Sequence, residues 1–134
     1  MPIVVSEDKQ RNWLLARATG NLSIDDVVVF LRTARAGVHT RMMPLLVDAR
    51  GCTTSMTLAD VPTAVAVVEH AVRTSGVRAN VALVADDAML RAWFVEYETQ
   101  CAAIGVRVIC AFSTVENAQH WLEIVWAARY FRTP

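Results

Sequence analysis

The residues whose types could support chemistry lie in one segment near the middle of the chain, PLLVDARGCTTSMTLAD, residues 44–60. An apolar run ends there in an acid, and a basic residue, a cysteine and several hydroxyl side chains follow before a predicted helix start. These polar side chains are Asp48, Arg50, Cys52, Thr53, Thr54, Ser55 and Thr57. Free N–H groups and positive partial charge at a helix start would favour an anion or a phosphorylated hydroxyl, which Arg50 could pair. A phosphate would add about −1.5 to −2 charges and could switch a partner interface.

A structural role is the other interpretation of the same hydroxyls. Side-chain oxygens at a helix start accept hydrogen bonds from the free N–H groups, and Thr57 with Asp60 three residues later matches that pattern. Thr57 is therefore a predicted helix cap, which leaves Ser55 as the freer hydroxyl.

The three cysteines are too few and too widely spaced for a zinc site or a disulfide framework. Cys101 lies in a helical pattern and Cys110 in an apolar strand, so both are predicted to be small buried side chains. Cys52 lies in the polar loop and is the candidate for a reactive thiol. An enzyme of unknown type built on Asp48, Arg50, Cys52 and Ser55 is the weakest of three functional hypotheses.

No other motif predicts a catalytic, metal or cofactor site. Asp86 and Asp87 open a helix after a strand and are predicted to cap it, since the lysine and strand order of a phosphoacceptor site are missing. The glycines stand singly rather than in a phosphate-binding cluster, and the three histidines lie in separate elements. We therefore predict no cofactor and no metal.

Composition limits the partners and the location. The 134 residues fit a single domain, 1–134, and 54% of them are hydrophobic. The formal net charge is zero, which gives no general attraction to nucleic acid or to an anionic membrane. The start of the chain lacks the pattern of a signal peptide, and no apolar run approaches the roughly 18 residues of a membrane span. The expected location is the cytoplasm.

Hydrophobic periodicity predicts the element order β-β-α-β-α-β-α-β-α. The strands are predicted at 3–5, 13–18, 45–47, 81–85 and 106–112, and helices start near Ser23, Thr57, Asp87 and Ser113. Capping boxes are predicted for Ser23 with Asp26 and for Ser113 with Glu116. The second helix has Leu58 on its apolar stripe, and glycines at 37 and 76 end the first two helices. Alternating strands and helices favour an α/β fold: one mixed, mainly parallel sheet of about five strands, an N-terminal β-hairpin and four helices.

Aromatic residues concentrate in the last third of the chain and suggest an apolar pocket or an interface. The candidates are Trp93, Phe94, Tyr97, Trp121 and Trp126. Trp121 and Trp126 fall on different faces of the last predicted helix, so one of them would need a cover. A homodimer contact is the preferred cover and a lipid or small apolar ligand the next, while packing of both rings in the core remains open.

The strand hairpin, the VDARG strand end, the hydroxyl-rich helix start and the segment 111–122 together resemble a STAS domain. More closely, the chain resembles the bacterial stand-alone STAS proteins of the SpoIIAA-like type. The resemblance covers about 13–121 and implies a regulatory module that binds a protein partner. It matches Asp48 to the strand-end aspartate and Gly51 to the turn glycine of the anti-sigma-factor antagonists.

In those antagonists, a serine in an Asp-Ser-Ser-Gly-like motif is phosphorylated by a partner kinase. The motif falls here on 56–59, where Thr57 keeps a hydroxyl but the acid and the glycine are replaced. The sequence-based hypotheses are therefore a non-enzymatic interaction or regulatory module, an apolar ligand or lipid carrier, and the enzyme of unknown type. A phosphorylatable switch of the antagonist kind is a further alternative.

Overall fold

The computed structural model of the protein describes residues 2–33, 43–75 and 79–130, and for Ser75 and residues 126–130 it describes the backbone alone. The strands are β1 (Ile3–Asp8), β2 (Trp13–Ala18), β3 (Asn21–Leu22), β4 (Leu45–Asp48), β5 (Thr53–Thr54), β6 (Val81–Val84) and β7 (Ile109–Phe112). The helices are α1 (Ile24–Thr33), α2 (Val61–Ser75), α3 (Ala88–Ala103) and α4 (Val115–Tyr130), and a short 3₁₀ turn, Leu58–Asp60, precedes α2.

The main sheet has five strands in the order β1-β2-β4-β6-β7. The first two strands form an antiparallel hairpin in which Ile3 lies opposite Ala18, and the remaining pairs are parallel. The predicted mixed, mainly parallel sheet with an N-terminal hairpin is therefore confirmed. Since parallel strands end at the same side, the chain leaves β2, β4, β6 and β7 at a common carboxyl edge.

Helices cover the two faces of the sheet unequally. The larger core lies between the sheet and α1, α2 and α3, and the smaller one lies between the sheet and α4. Every residue of β4 is buried, which explains why its apolar residues are consecutive rather than alternating. The described residues contain no helix long and apolar enough to cross a bilayer.

The helix starts agree only in part with the predicted caps. Ser23 and Asp26 form the predicted reciprocal box, with N···O distances of 3.1 and 3.2 Å. At α4, the N–H of Asn117 donates to the Thr114 hydroxyl at 3.1 Å, so the prediction that Ser113 caps this helix was wrong by one residue. The predicted helix ends at Gly37 and Gly76 lie outside the described residues.

The segment after β4 differs most from the prediction. Two residues of the expected loop form β5, which pairs in parallel with β3 as a separate two-stranded sheet. The α-helix then begins at Val61, because the 3₁₀ turn takes up the preceding residues. Leu58, predicted on the buried stripe, is consequently exposed.

Candidate interaction site at the carboxyl edge

An ion pair between a buried carboxylate and a half-exposed guanidinium holds the chain where it leaves β4. Only 6% of the Asp48 surface is exposed. Its two oxygens accept hydrogen bonds from Nε and Nη2 of Arg50, both at 2.9 Å, and Oδ1 also accepts from the Arg50 backbone N–H at 3.2 Å. The Arg50 hydrogen bonds lower the pKa of the Asp48 carboxyl, so this side chain stays ionised and fixed in direction.

A second carboxylate fixes the next residue of the same turn. The backbone N–H of Gly51 donates to Oδ1 of Asp86 at 2.9 Å, and the N–H of Ala49 donates to the carbonyl of Val84 at 2.8 Å. Gly51 has φ of 81°, a conformation that favours glycine. The turn after β4 is thus tied to the turn after β6. The prediction that both acids cap α3 was wrong for Asp86, since only Asp87 accepts from the helix, at Leu90 N–H.

The two threonine hydroxyls of β5 are used within the loop. Thr53 accepts from the Asn21 side chain at 3.0 Å, while Thr54 donates to the Leu22 carbonyl at 2.8 Å and accepts from the Met56 N–H at 2.9 Å. The backbone N–H of Ser55 also donates to the Leu22 carbonyl. These contacts hold the predicted hydroxyl loop against the chain that enters α1.

Thr53, Ser55 and Thr57 are the exposed hydroxyl residues of the loop, and the Thr53 hydroxyl is already engaged by Asn21. Among the described residues, no hydrogen bond engages the Ser55 hydroxyl. Thr57 is the N-cap of the 3₁₀ turn that precedes α2, in a capping box with Asp60, which confirms the predicted cap. Its N–H donates to the Asp60 carboxylate at 2.9 Å, and its carbonyl accepts from Nε1 of Trp93 at 3.1 Å. The loop therefore presents accessible hydroxyls on a fixed backbone.

Cys52 is not an accessible thiol. Its side chain is buried in the larger core, and this burial raises the pKa of the thiol, with smaller contributions from Asp48 and Asp86. This burial counts against Cys52 as the candidate reactive thiol, because the loop packs against β3 and α3 instead of extending into solvent.

Arg50 is less available to a phosphate than its position in the sequence suggested. Its guanidinium is half exposed but is engaged by both oxygens of Asp48, which is the main reason that its pKa is raised. Asp86 and Glu116 add further negative charge around it. A phosphate on the loop would have to compete with these carboxylates for the same cation.

Two exposed apolar side chains at this edge were missed by the sequence analysis. Leu58 is 56% exposed and Met89 is 65% exposed. Leu58 lies in the 3₁₀ turn after β5 and Met89 lies in the first turn of α3, and the hydrogen bond from Trp93 to the Thr57 carbonyl joins these two segments at the carboxyl edge. A signal for Met89 was available, since it falls outside the apolar stripe of its helix.

The predicted aromatic pocket is mostly core. Trp93, Phe94 and Tyr97 are all buried, with Trp93 stacked on Tyr97 at a ring separation of 5.5 Å. Trp121 is half-buried and contacts Phe112 at the same separation on the other face of the sheet. The Trp126 side chain lies outside the described residues.

A separate apolar cavity of about 150 Å³ lies near the amino ends of the parallel strands, away from the carboxyl edge. It is bounded by the second halves of α1 and α2, by the parallel strands and by one aromatic ring of α3. Its lining includes Phe30, Leu45, Val68, Val72, Val81 and Tyr97. Arg32 is the charged residue among the described residues that line it.

The described residues contain no group of three histidine, cysteine or acidic side chains that could hold a metal ion. Of the three histidines, His39 falls outside the described part of the chain, and His70 and His120 lie on α2 and α4.

A structure comparison shows the class of fold. The chain is similar to an uncharacterised protein of the DUF3478 family from Shewanella loihica PV-4, whose crystal structure has a SpoIIAA-like fold. The two chains share 18% identity over 90% of this chain and 91% of the other, with a TM-score of 0.51. No protein-family model matches the sequence, and no curated protein is significantly similar to it. The chain has a SpoIIAA-like α/β fold, as the resemblance to STAS domains predicted.

Proposed function

We propose that this protein is a non-enzymatic regulatory or interaction module that binds a protein partner through the carboxyl edge of its sheet. The observation that carries the proposal is the pair of exposed apolar side chains, Leu58 and Met89, in two segments of that edge that the Trp93–Thr57 hydrogen bond joins. The buried core of a protein interface is more apolar than its rim, and exposed apolar side chains can supply that core. A cytoplasmic location belongs to the same proposal, and the absence of disulfides among the described cysteines is compatible with it.

The frame beneath this surface favours recognition without rearrangement. The Asp48–Arg50 pair, the Gly51–Asp86 hydrogen bond and the β3–β5 ladder fix the loop backbone before any partner arrives. A partner that binds a preformed surface does not have to order it, and that saving increases affinity.

Charge indicates the kind of partner. The carboxylates around this edge belong to Asp48, Asp60, Asp86, Asp87 and Glu116, and the guanidinium groups belong to Arg17, Arg50 and Arg91. Acids exceed bases, so a partner surface with apolar anchors and a basic rim is complementary to this edge.

Site-specific photo-crosslinking tests the proposal directly. A photoreactive residue at position 58, introduced in the protein's own host, is expected to capture a discrete partner, whereas the same residue at exposed position 95 on α3 is not. The captured protein is then purified, and its affinity is measured for the wild type, Leu58→Asp, Met89→Asp and the control Val95→Asp. The first two variants should bind about tenfold or more weakly, as expected for loss of an apolar anchor. Equal affinity for all four proteins would overturn the proposal.

An apolar ligand is a second candidate, favoured by the cavity rather than by the aromatic cluster. A cavity of about 150 Å³ lined by apolar side chains is large enough for a benzene-sized group. Arg32 on its lining would suit a ligand that carries an acidic group. The cavity could hold a short apolar chain or ring but not a whole lipid.

Native mass spectrometry of the protein purified from its own host separates the two candidates and the phosphorylation hypothesis. A retained small molecule that is lost in Val68→Phe would support the ligand, and an 80 Da increment, about one phosphate group, mapped to Ser55 or Thr57 would support a modified switch. An empty and unmodified protein would count against both.

A further inference from the structure

The two outer strands of the five-stranded sheet, β1 and β7, differ in whether their outward backbone groups are hydrogen-bonded. At the β7 edge, the backbone N–H of Ala111 donates to Oε1 of Glu98, and that carboxylate comes from α3. A side chain that occupies a strand N–H prevents another strand from pairing there. This edge is therefore protected against strand addition.

The β1 edge has no such protection among the described residues. The N–H of Thr19 donates to the carbonyl of Pro2 at 2.8 Å, so these two residues form a hydrogen-bonded pair of the antiparallel ladder. Because antiparallel pairs alternate, Val4 points its backbone groups toward β2, and Ile3 and Val5 point theirs outward. No described hydrogen bond engages these outward groups of Ile3 and Val5.

The side chains at this end of β1 are apolar and accessible. Val4 is 65% exposed and Val5 is 38% exposed, and they lie on opposite faces of the sheet. The acids Glu7 and Asp8 come only at the far end of the strand. Natural edge strands are usually blocked by charges, prolines or bulges, so an apolar open edge indicates a strand that pairs.

We propose that a second copy of this chain pairs with β1, antiparallel and centred on Val4, to join the two sheets into one of ten strands. In this register, Ile3 of each copy lies opposite Val5 of the other, and each such pair exchanges two N–H···O=C hydrogen bonds. The two Val4 side chains meet across the two-fold axis, and Ile3 packs against Val5 on the other face. The inference is independent of the partner proposed for the carboxyl edge.

Charge and symmetry favour a second copy in this register. A register centred on Glu7 would place Glu7 opposite Glu7 of the other copy, which is unfavourable. In the register centred on Val4, the acids Glu7 and Asp8 lie outside the contact between the apolar residues 3–5. The formal net charge of the chain is zero, so two copies do not repel each other as a whole. A two-fold antiparallel pairing is self-complementary, and one strand therefore supplies both halves of the contact.

Cysteine crosslinking tests both the pairing and its register. The variants Val4→Cys, Val5→Cys and Val95→Cys are made in a Cys110→Ala background, since Cys52 and Cys101 are buried. Directly opposed residues of a non-hydrogen-bonded antiparallel pair have Cα atoms about 4.5 Å apart, within the range of a disulfide. Mild oxidation is expected to give a covalent dimer rapidly with Val4→Cys and only slowly with the other two. Faster crosslinking of Val5→Cys would overturn the register.

Sedimentation supplies a second measurement that needs no crosslink. The wild type is expected to show a concentration-dependent dimer, which Val4→Lys weakens about tenfold or more by placing like charges opposite each other. Val95→Lys, an exposed change on α3, should sediment as the wild type does. Circular dichroism checks that all three proteins fold. A wild type that stays monomeric at every concentration, together with no preference for Val4→Cys, would overturn the pairing.

Discussion

At the scale of single residues, Asp48 is the side chain on which the candidate surface depends most. It is the buried charged residue among the described residues, and both of its oxygens are used by Arg50. The segment in the sequence suggested a pair of groups poised for a ligand. The structure instead uses the pair to hold its own turn, which sequence cannot show because the distance between two side chains depends on the folded loop.

The first prediction concerns that carboxylate. Asp48→Asn removes the charge from the bidentate contact and should lower the free energy of unfolding by about 1.5–3 kcal/mol, the range for hydrogen bonds to charged groups. Urea denaturation at neutral pH measures the loss. The exposed change Asp25→Asn on α1 is the control and should have little effect; a similar loss in both variants would contradict the role assigned to Asp48.

A pH dependence follows from the same group. The pKa of Asp48 is lowered in the folded state, so its contribution to stability is complete above the unfolded pKa of about 3.9. That contribution is lost as the pH falls through the lower, folded pKa. The free energy of unfolding, measured by denaturation at a series of pH values from neutral to acid, should therefore fall less with pH for Asp48→Asn than for the wild type. Parallel pH profiles would show that other groups carry the acid sensitivity.

The thiols give a third prediction at this scale. Burial raises the pKa of Cys101 and of Cys110 to about 11 and also raises that of Cys52. The folded protein should therefore be alkylated slowly at neutral pH, at all three positions, and rapidly after unfolding. Peptide mapping of the alkylated sites measures this. Rapid labelling of Cys52 in the folded protein would restore the hypothesis of an enzyme built on this loop.

At the scale of elements, α3 links the candidate surface to the core. Asp87 caps its start, Met89 is exposed in its first turn, and Trp93 reaches back to the carbonyl of Thr57. The stripe of this helix was visible in the sequence because it repeats at helical spacing over several turns. The contact with Thr57 was not, since it joins residues far apart in the chain.

The cap of α3 can be tested on its own. Asp87→Ala removes the acceptor for the Leu90 N–H and should cost about 1 kcal/mol of stability, within the range measured for helix caps. Asp87→Asn keeps an oxygen in the same place and should retain most of the stability. Thermal and urea denaturation compare the two variants, and equal loss in both would indicate that the charge, rather than the hydrogen bond, matters.

At the scale of the whole molecule, the architecture was predictable and the surface was not. Consecutive apolar residues such as 45–47 and 81–84 marked buried parallel strands, and alternation with helices gave the topology. The pairs that form β3 and β5 were too short to leave a pattern, and the exposure of Leu58 depends on where the 3₁₀ turn gives way to α2. Hydrophobic periodicity thus predicts the fold, whereas the site depends on tertiary contacts between single residues.

The small ladder between β3 and β5 has a consequence for enzymes that would act on the loop. Enzymes that thread an extended substrate through a cleft need the backbone on both sides of the target residue. Here the amides of Thr53 and Ser55 are already bonded to the carbonyls of Gly20 and Leu22. Proteases and kinases of that type would have to open the ladder first. Amide hydrogen exchange at Thr53 and Ser55 measures the rate of that opening, which is the upper limit on how fast such an enzyme could act on the loop. An enzyme that modifies Ser55 at a useful rate must recognise the folded surface itself.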